Sequence, residues 1–103
     1  MSDTITIVAV LRAADGAAEK VAGILHRAVA PSRAEAGCRG YVLHHDRSDH
    51  QRFVFVEQWA DMAAIEAHRQ APHYLAMGKA LEMDADYALT KLSLAEVHLR
   101  MKN

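Results

Sequence analysis

An α+β domain is the fold class that the order of apolar segments predicts, and three observations carry it. Thr4 to Arg12 (TITIVAVLR) is apolar at nearly every position, as a strand covered on both faces is, and Gln51 to Trp59 contains the continuous apolar run FVFV ahead of Glu57 and Trp59; both are rich in β-branched or aromatic residues. A helical spacing of apolar residues follows each of them, after Asp15-Gly16 and after Asp61. Two more strand patterns, Cys38 to Asp46 and Tyr87 to Leu94, complete the order β, α, β, β, α, β. That order is the ferredoxin-like split βαβ arrangement, a four-stranded antiparallel sheet with helices on one face.

Each element has its own local reason. Asp15 stands near an N-cap position, and Ala17, Val21, Ile24, Leu25 and Ala28 then form one apolar stripe, with Glu19, Lys20, His26 and Arg27 off it. Pro31 suits the first turn of a short helical segment over Ser32 to Ala36, which Gly37 ends. Asp46-Arg47-Ser48-Asp49-His50 is a polar turn joining the second and third strands as a hairpin. Asp61 caps a helix that places Met62, Ala64, Ile65 and His68 on one face, and Ala71-Pro72 ends it, because a residue before proline is driven out of the helical region. His73 to Glu82 makes a further helix with Tyr74, Met77, Gly78 and Leu81 on one side, broken at Asp84 to Asp86; the tail from Ala95 extends the fourth strand or reaches a neighbouring subunit.

The strands are apolar on both faces. Ile5, Ile7 and Leu11 oppose Val8 and Val10, and Phe53 and Phe55 oppose Val54 and Val56. Helices cover one face only, so the other is a larger apolar patch than a soluble monomer tolerates, and a homodimer packed sheet to sheet is expected.

At 103 residues the chain reads as a single domain over 1–103, able to bury roughly 60 to 70% of its unfolded surface. A net charge of −1 provides no basic field for phosphates, which argues against nucleic acid as a partner. Cys38 is alone, so it forms no intramolecular disulfide and belongs to no CxxC metal motif. The N-terminal run is too short for a signal segment or a membrane span, and a cytoplasmic protein without membrane contact is expected.

Phe53 to Tyr74 (FVFVEQWADMAAIEAHRQAPHY) gathers Glu57, the single Trp59, His68, His73 and Tyr74 at a strand-to-helix join. His68 and His73 lie five apart across a proline and do not stack as histidines four apart on one helix would; His44 and His45 are adjacent on a strand and point apart. Neither pair reads as a ligand set, so no metal is expected.

GCRGY (Gly37 to Tyr41), FVFVEQW (Phe53 to Trp59) and AIEAHRQAPHY (Ala64 to Tyr74) resemble the antibiotic biosynthesis monooxygenase family, whose small members include quinol monooxygenases. The resemblance spans the first strand to the fourth. It implies a dimeric α/β barrel with one pocket per subunit between helices and sheet, and an oxygenase needing no metal or flavin. The implied substrates are a quinol or another electron-rich aromatic together with dioxygen. The residues the resemblance marks are His68 as the group accepting or orienting a phenolic proton and Trp59 as a flat wall for the ring, with Tyr41, Glu57, His73 and Tyr74 as further substrate contacts; Glu57 is a candidate to orient an imidazole. Each has a structural alternative: a hydrogen-bonded core histidine, a core indole, a helix cap at His73, a buried partner at Glu57. Two other functions stand beside the enzyme. One is a non-catalytic small-molecule-binding or stress-response dimer. The other is haem binding or degradation, for which related proteins use an Asn on the first strand that Thr4 to Arg12 lacks.

Overall fold

The computed structural model describes residues 4–84 and 90–92. Strand β1 (Ile5–Arg12) leads into helices α1 (Ala18–Arg27) and α2 (Val29–Arg33), strands β2 (Cys38–His45) and β3 (Arg52–Trp59), helices α3 (Met62–Gln70) and α4 (Pro72–Asp84), and a short strand β4 (Thr90–Leu92). The sheet is antiparallel throughout, in the order β2-β3-β1-β4. Three long strands carry it, and β4 pairs along β1 from Val8 to Val10. The expected fourth strand is therefore seen at Thr90–Leu92; its remaining residues and the tail from Ala95 lie outside the described residues.

The period-two alternation of β1 and β3 decides what is buried. Leu11, Phe53, Phe55 and Trp59 turn towards the helices and are almost inaccessible, while Val8, Val10, Val54 and Val56 on the opposite face stay partly open. Each fully buried aromatic or aliphatic side chain contributes about 1.5–3 kcal/mol to the fold, so this row together with Val21, Leu25 and Ile65 from the helices forms the core. Across the sheet Val8, Val56 and Val42 stand in register on the open face, and Val42 is 43% exposed.

The helix starts differ from the sequence expectation in two places. Gly16 takes a left-handed turn (φ +79°) that separates Asp15 from the helix, so Ala17 occupies the N-cap position without a side-chain bond and Asp15 accepts instead from Gln51 Nε2 at 2.7 Å. Helix α2 begins at Val29, not near Ser32, and Pro31 is its third residue. A proline costs no hydrogen bond there, because the first four helical amides have no intrahelical partner.

Asp61 caps α3 as expected, its carboxylate accepting from the Ala64 amide at 2.8 Å. Met62, expected on the buried face, is 54% exposed. Ala71 is extended (ψ 142°) ahead of Pro72, and this corner swings α4 back beside α3.

Gly37 fixes how the segment before β2 meets α3. A Cβ at Gly37 would stand 2.3 Å from the Ala64 Cβ, so only glycine permits this approach. The Gly37 carbonyl accepts from the Ala60 amide at 2.8 Å, locking the α2–β2 turn against the start of α3.

Candidate active site

Between the helix-covered sheet face and helices α3 and α4 lies a cavity of about 80 Å³. Its floor is the inward row of the strands: Ile7, Ala9 and Leu11 from β1, Tyr41 from β2, Phe55 and Glu57 from β3. Its roof follows helical spacing, with Ile65, His68 and Arg69 from α3 and Tyr74, Met77, Gly78 and Leu81 from α4. The wall is therefore mostly apolar with a few polar groups converging on it, the usual make-up of a small-molecule site.

His68 is the best-defined of those polar groups. It is 3% exposed, and its ring lies between Trp59 (centroids 4.4 Å), Tyr74 (4.9 Å) and Tyr41 (5.5 Å). Its Nδ1 lies 2.7 Å from Glu35 Oε2, and a carboxylate only accepts, so Nδ1 carries the proton and donates. In the neutral ring Nε2 is then a bare lone pair. That atom is buried and makes no hydrogen bond among the described residues. His68 belongs to the cavity wall and Glu35 does not, so Nε2 is the ring nitrogen that remains available to a ligand. A buried acceptor left without a donor costs about 1–3 kcal/mol, which a ligand hydroxyl would recover.

Tyr41 is the complementary group. It is 1% exposed, and burial first, then the Glu57 carboxylate, push its phenol far above the ordinary tyrosine value. The Ser32 hydroxyl opposes the shift at close range without a well-formed hydrogen bond of its own. Tyr41 thus keeps its proton at any physiological pH.

Of the residues singled out in the sequence, Tyr41, Glu57, His68 and Tyr74 meet in the cavity wall. Trp59 does not line it; fully buried, the indole backs the His68 ring and donates from Nε1 to Glu57 Oε1 at 3.0 Å. Glu57 therefore orients an indole, and the carboxylate that orients the imidazole is Glu35. His73 also lies outside this cavity, bordering an open groove between α1 and α4 with Arg27 and Met77. Its Nε2 reaches the same Glu35 oxygen at 2.7 Å.

His68 and His73, which spacing alone does not make a ligand set, thus share a carboxylate partner. Five residues apart they do not share a helix face, but the extended Ala71 turns the chain so that both rings point at Glu35. The three side chains bring two nitrogens and a carboxylate oxygen within 4.8 Å of one another. Sequence reading missed Glu35 and Arg69. Nothing local marks Glu35, which lies 33 residues before His68, whereas Arg69 was legible only as the neighbour of a wall residue.

The family described as antibiotic biosynthesis monooxygenase matches residues 4–80. The chain belongs to the antibiotic biosynthesis monooxygenase family. Among solved structures it is similar to PA3566 from Pseudomonas aeruginosa, at 41% identity and a TM-score of 0.82, covering 90% of this chain and 95% of that one. It is also similar to Rv0793 from Mycobacterium tuberculosis, at 31% identity over 75 residues, 73% of each chain. The Rv0793 structure superposes with a TM-score of 0.78, covering 87% of this chain and 93% of that one. A further match, to the uncharacterized protein sll1783 of Synechocystis, is 37% identical over 46 residues and takes in 45% of this chain but only 31% of that protein. The matched family region contains every cavity-lining residue except Leu81.

Proposed function

We propose that the protein is a cofactor-independent monooxygenase that oxidises a quinol or another electron-rich aromatic with dioxygen. The observation that supports it is the His68 Nε2 lone pair, buried and without a partner among the described residues, in a side chain that walls an apolar, aromatic-lined cavity, with Nδ1 tied to Glu35. A substrate hydroxyl gives its proton to Nε2. Glu35 holds the imidazole in the accepting tautomer and stabilises the imidazolium that forms, as a carboxylate behind a basic histidine does. The deprotonated aromatic passes one electron to dioxygen, the radical pair joins as a carbon-bound hydroperoxide, and its O–O bond then breaks. One oxygen atom stays as a carbonyl and the other leaves as water with the protons taken from the ring carbon and from His68. Tyr41, which keeps its proton, donates a hydrogen bond to the developing oxyanion, while Tyr74 and Met77 hold the ring and exclude water.

Apolar cavities that admit benzene measure about 150 Å³, so a cavity of about 80 Å³ has to enlarge. Helix α4 contributes four of the wall residues, Tyr74, Met77, Gly78 and Leu81. The assembly we propose is a homodimer through the open sheet face, where Val8, Val42 and Val56 stand in register. We place the protein in the cytoplasm, in keeping with Cys38 as a free, half-buried thiol whose pKa burial raises.

Oxygen uptake by metal-stripped protein with a panel of quinols and polycyclic phenols tests this reading. Uptake lost in His68→Ala with the fold intact is the expected result. No uptake from any substrate, or equal uptake by the variant, points instead to a binding protein without the reaction.

A further inference from the structure

We propose that Glu35, His68 and His73 form a site for a divalent transition-metal ion of the zinc type, on the side of His68 that faces away from the cavity. The donor set is two imidazole nitrogens and one carboxylate oxygen, a combination suited to such ions. Glu35 Oε2 lies 2.7 Å from His68 Nδ1 and 2.7 Å from His73 Nε2. Metal–ligand bonds of about 2.0–2.2 Å separate neighbouring donors by roughly 3.0–3.4 Å, so each Glu35–imidazole pair has to open by a few tenths of an ångström while the two imidazole nitrogens, which lie within 4.8 Å of each other, draw together.

The donors are held by structure that does not depend on a metal. Gly37 packs against Ala64 and fixes the turn that carries Glu35, while His68 and His73 project from α3 and α4 on either side of the Ala71 corner. The side chains of His73 and Glu35 are 21% and 16% exposed, which leaves an approach for the ion from the α1–α4 groove.

Metal and the two present hydrogen bonds are alternatives. An ion on His68 Nδ1 requires the ring proton to sit on Nε2, and an ion on His73 Nε2 requires that ring's proton on Nδ1. Neutral imidazoles satisfy both by changing tautomer, with no net proton gained or lost. The consequence at the cavity is direct: with the ion bound, His68 offers an N–H donor where the free protein offers a lone pair. If His68 is the base proposed above, metal loading silences it; the binding site itself does not rest on that reading.

Full-length, chelator-treated protein titrated with Zn2+ by calorimetry and with Co2+ by visible absorption tests the proposal. The titrations are repeated on His73→Ala, whose part-exposed ring can be removed without emptying the core, and on Glu35→Gln. Expected are one ion per chain, cobalt ligand-field bands, and an affinity that falls more than about tenfold in His73→Ala, since even an outer-shell partner is worth that much. Imidazole 15N shifts are expected to move the His68 proton from Nδ1 to Nε2 as zinc is added. Absence of binding overturns the proposal, as does binding that His73→Ala leaves unchanged, which would place the ion on other histidines such as those of the β2–β3 hairpin. None of these readouts uses turnover, so failure of the oxygenase reading and failure of this site are told apart.

Discussion

Replacing Gly37 by alanine tests the contact on which the site's geometry depends. The new Cβ would lie 2.3 Å from the Ala64 Cβ and 3.3 Å from its Cα, where carbon atoms normally rest about 3.5–4.0 Å apart, so turn and helix have to part by more than about 1 Å. Both atoms are fixed to backbone, and neither can rotate away. We therefore expect a cost near the top of the usual overpacking range, about 2–3 kcal/mol. For a chain of this size each kcal/mol lowers Tm by about 4–8 °C, which predicts a fall of roughly 10–20 °C. The same displacement stretches the 2.7 Å Glu35–His68 bond beyond the ~3.2 Å limit of a good hydrogen bond. Ala64→Gly by itself costs about 1 kcal/mol of helix propensity, yet in the Gly37→Ala background it removes the atom that is struck. Thermal melts of the two single variants and the double variant are then expected to show favourable coupling of at least about 1 kcal/mol. A Gly37→Ala protein melting within about 2 °C of the parent, or additive single effects, would refute the reasoning.

Four further outcomes follow from the same structure. Asp61→Ala removes the α3 cap and is expected to cost about 1 kcal/mol, read as a Tm lower by roughly 4–8 °C. Trp59→Phe takes the indole donor from the buried Glu57 carboxylate; a loss of about 1–3 kcal/mol in urea denaturation is expected, partly regained when Glu57→Gln is added. The folded state raises the Tyr41 pKa above its unfolded value of 10.0, so its contribution is complete below that pH and lost as pH climbs beyond it; Tyr41→Phe is expected to flatten the alkaline decline of stability. Val56→Lys puts a charge at the centre of the open sheet face; under the proposed assembly, light scattering is expected to show a dimer for the parent and a monomer for the variant.

What was legible in the sequence was periodicity. The alternation put Phe53 and Phe55 on one face of their strand, opposite Val54 and Val56, and the spacing put Tyr74, Met77, Gly78 and Leu81 on one side of a helix; the structure turns the first group to the core and the second to the cavity. Both are local patterns, and the structure keeps them. Partnerships formed through the turns were not legible. Glu57 was the nearer candidate to orient an imidazole, because it shares the central stretch with His68, but two-residue spacing on one strand face gives it to Trp59 instead. Glu35 reaches His68 only because Gly37 lets its turn press on α3, a contact that no window of sequence contains. The same limit hid the meeting of His68 and His73. Helical spacing correctly denies them a shared face, and the extended Ala71 corner supplies a shared partner by another route.

The most direct measurement of the central claim is the tautomer of His68, read from imidazole 15N shifts of the metal-free protein before and after addition of a phenol. The structure predicts a protonated Nδ1 facing Glu35 and a bare Nε2 facing the cavity, with the Nε2 shift moving as the phenol binds and both effects weakened in Glu35→Gln. A proton found on Nε2 with Nδ1 bare, or an Nε2 signal indifferent to every phenol tried, would contradict it.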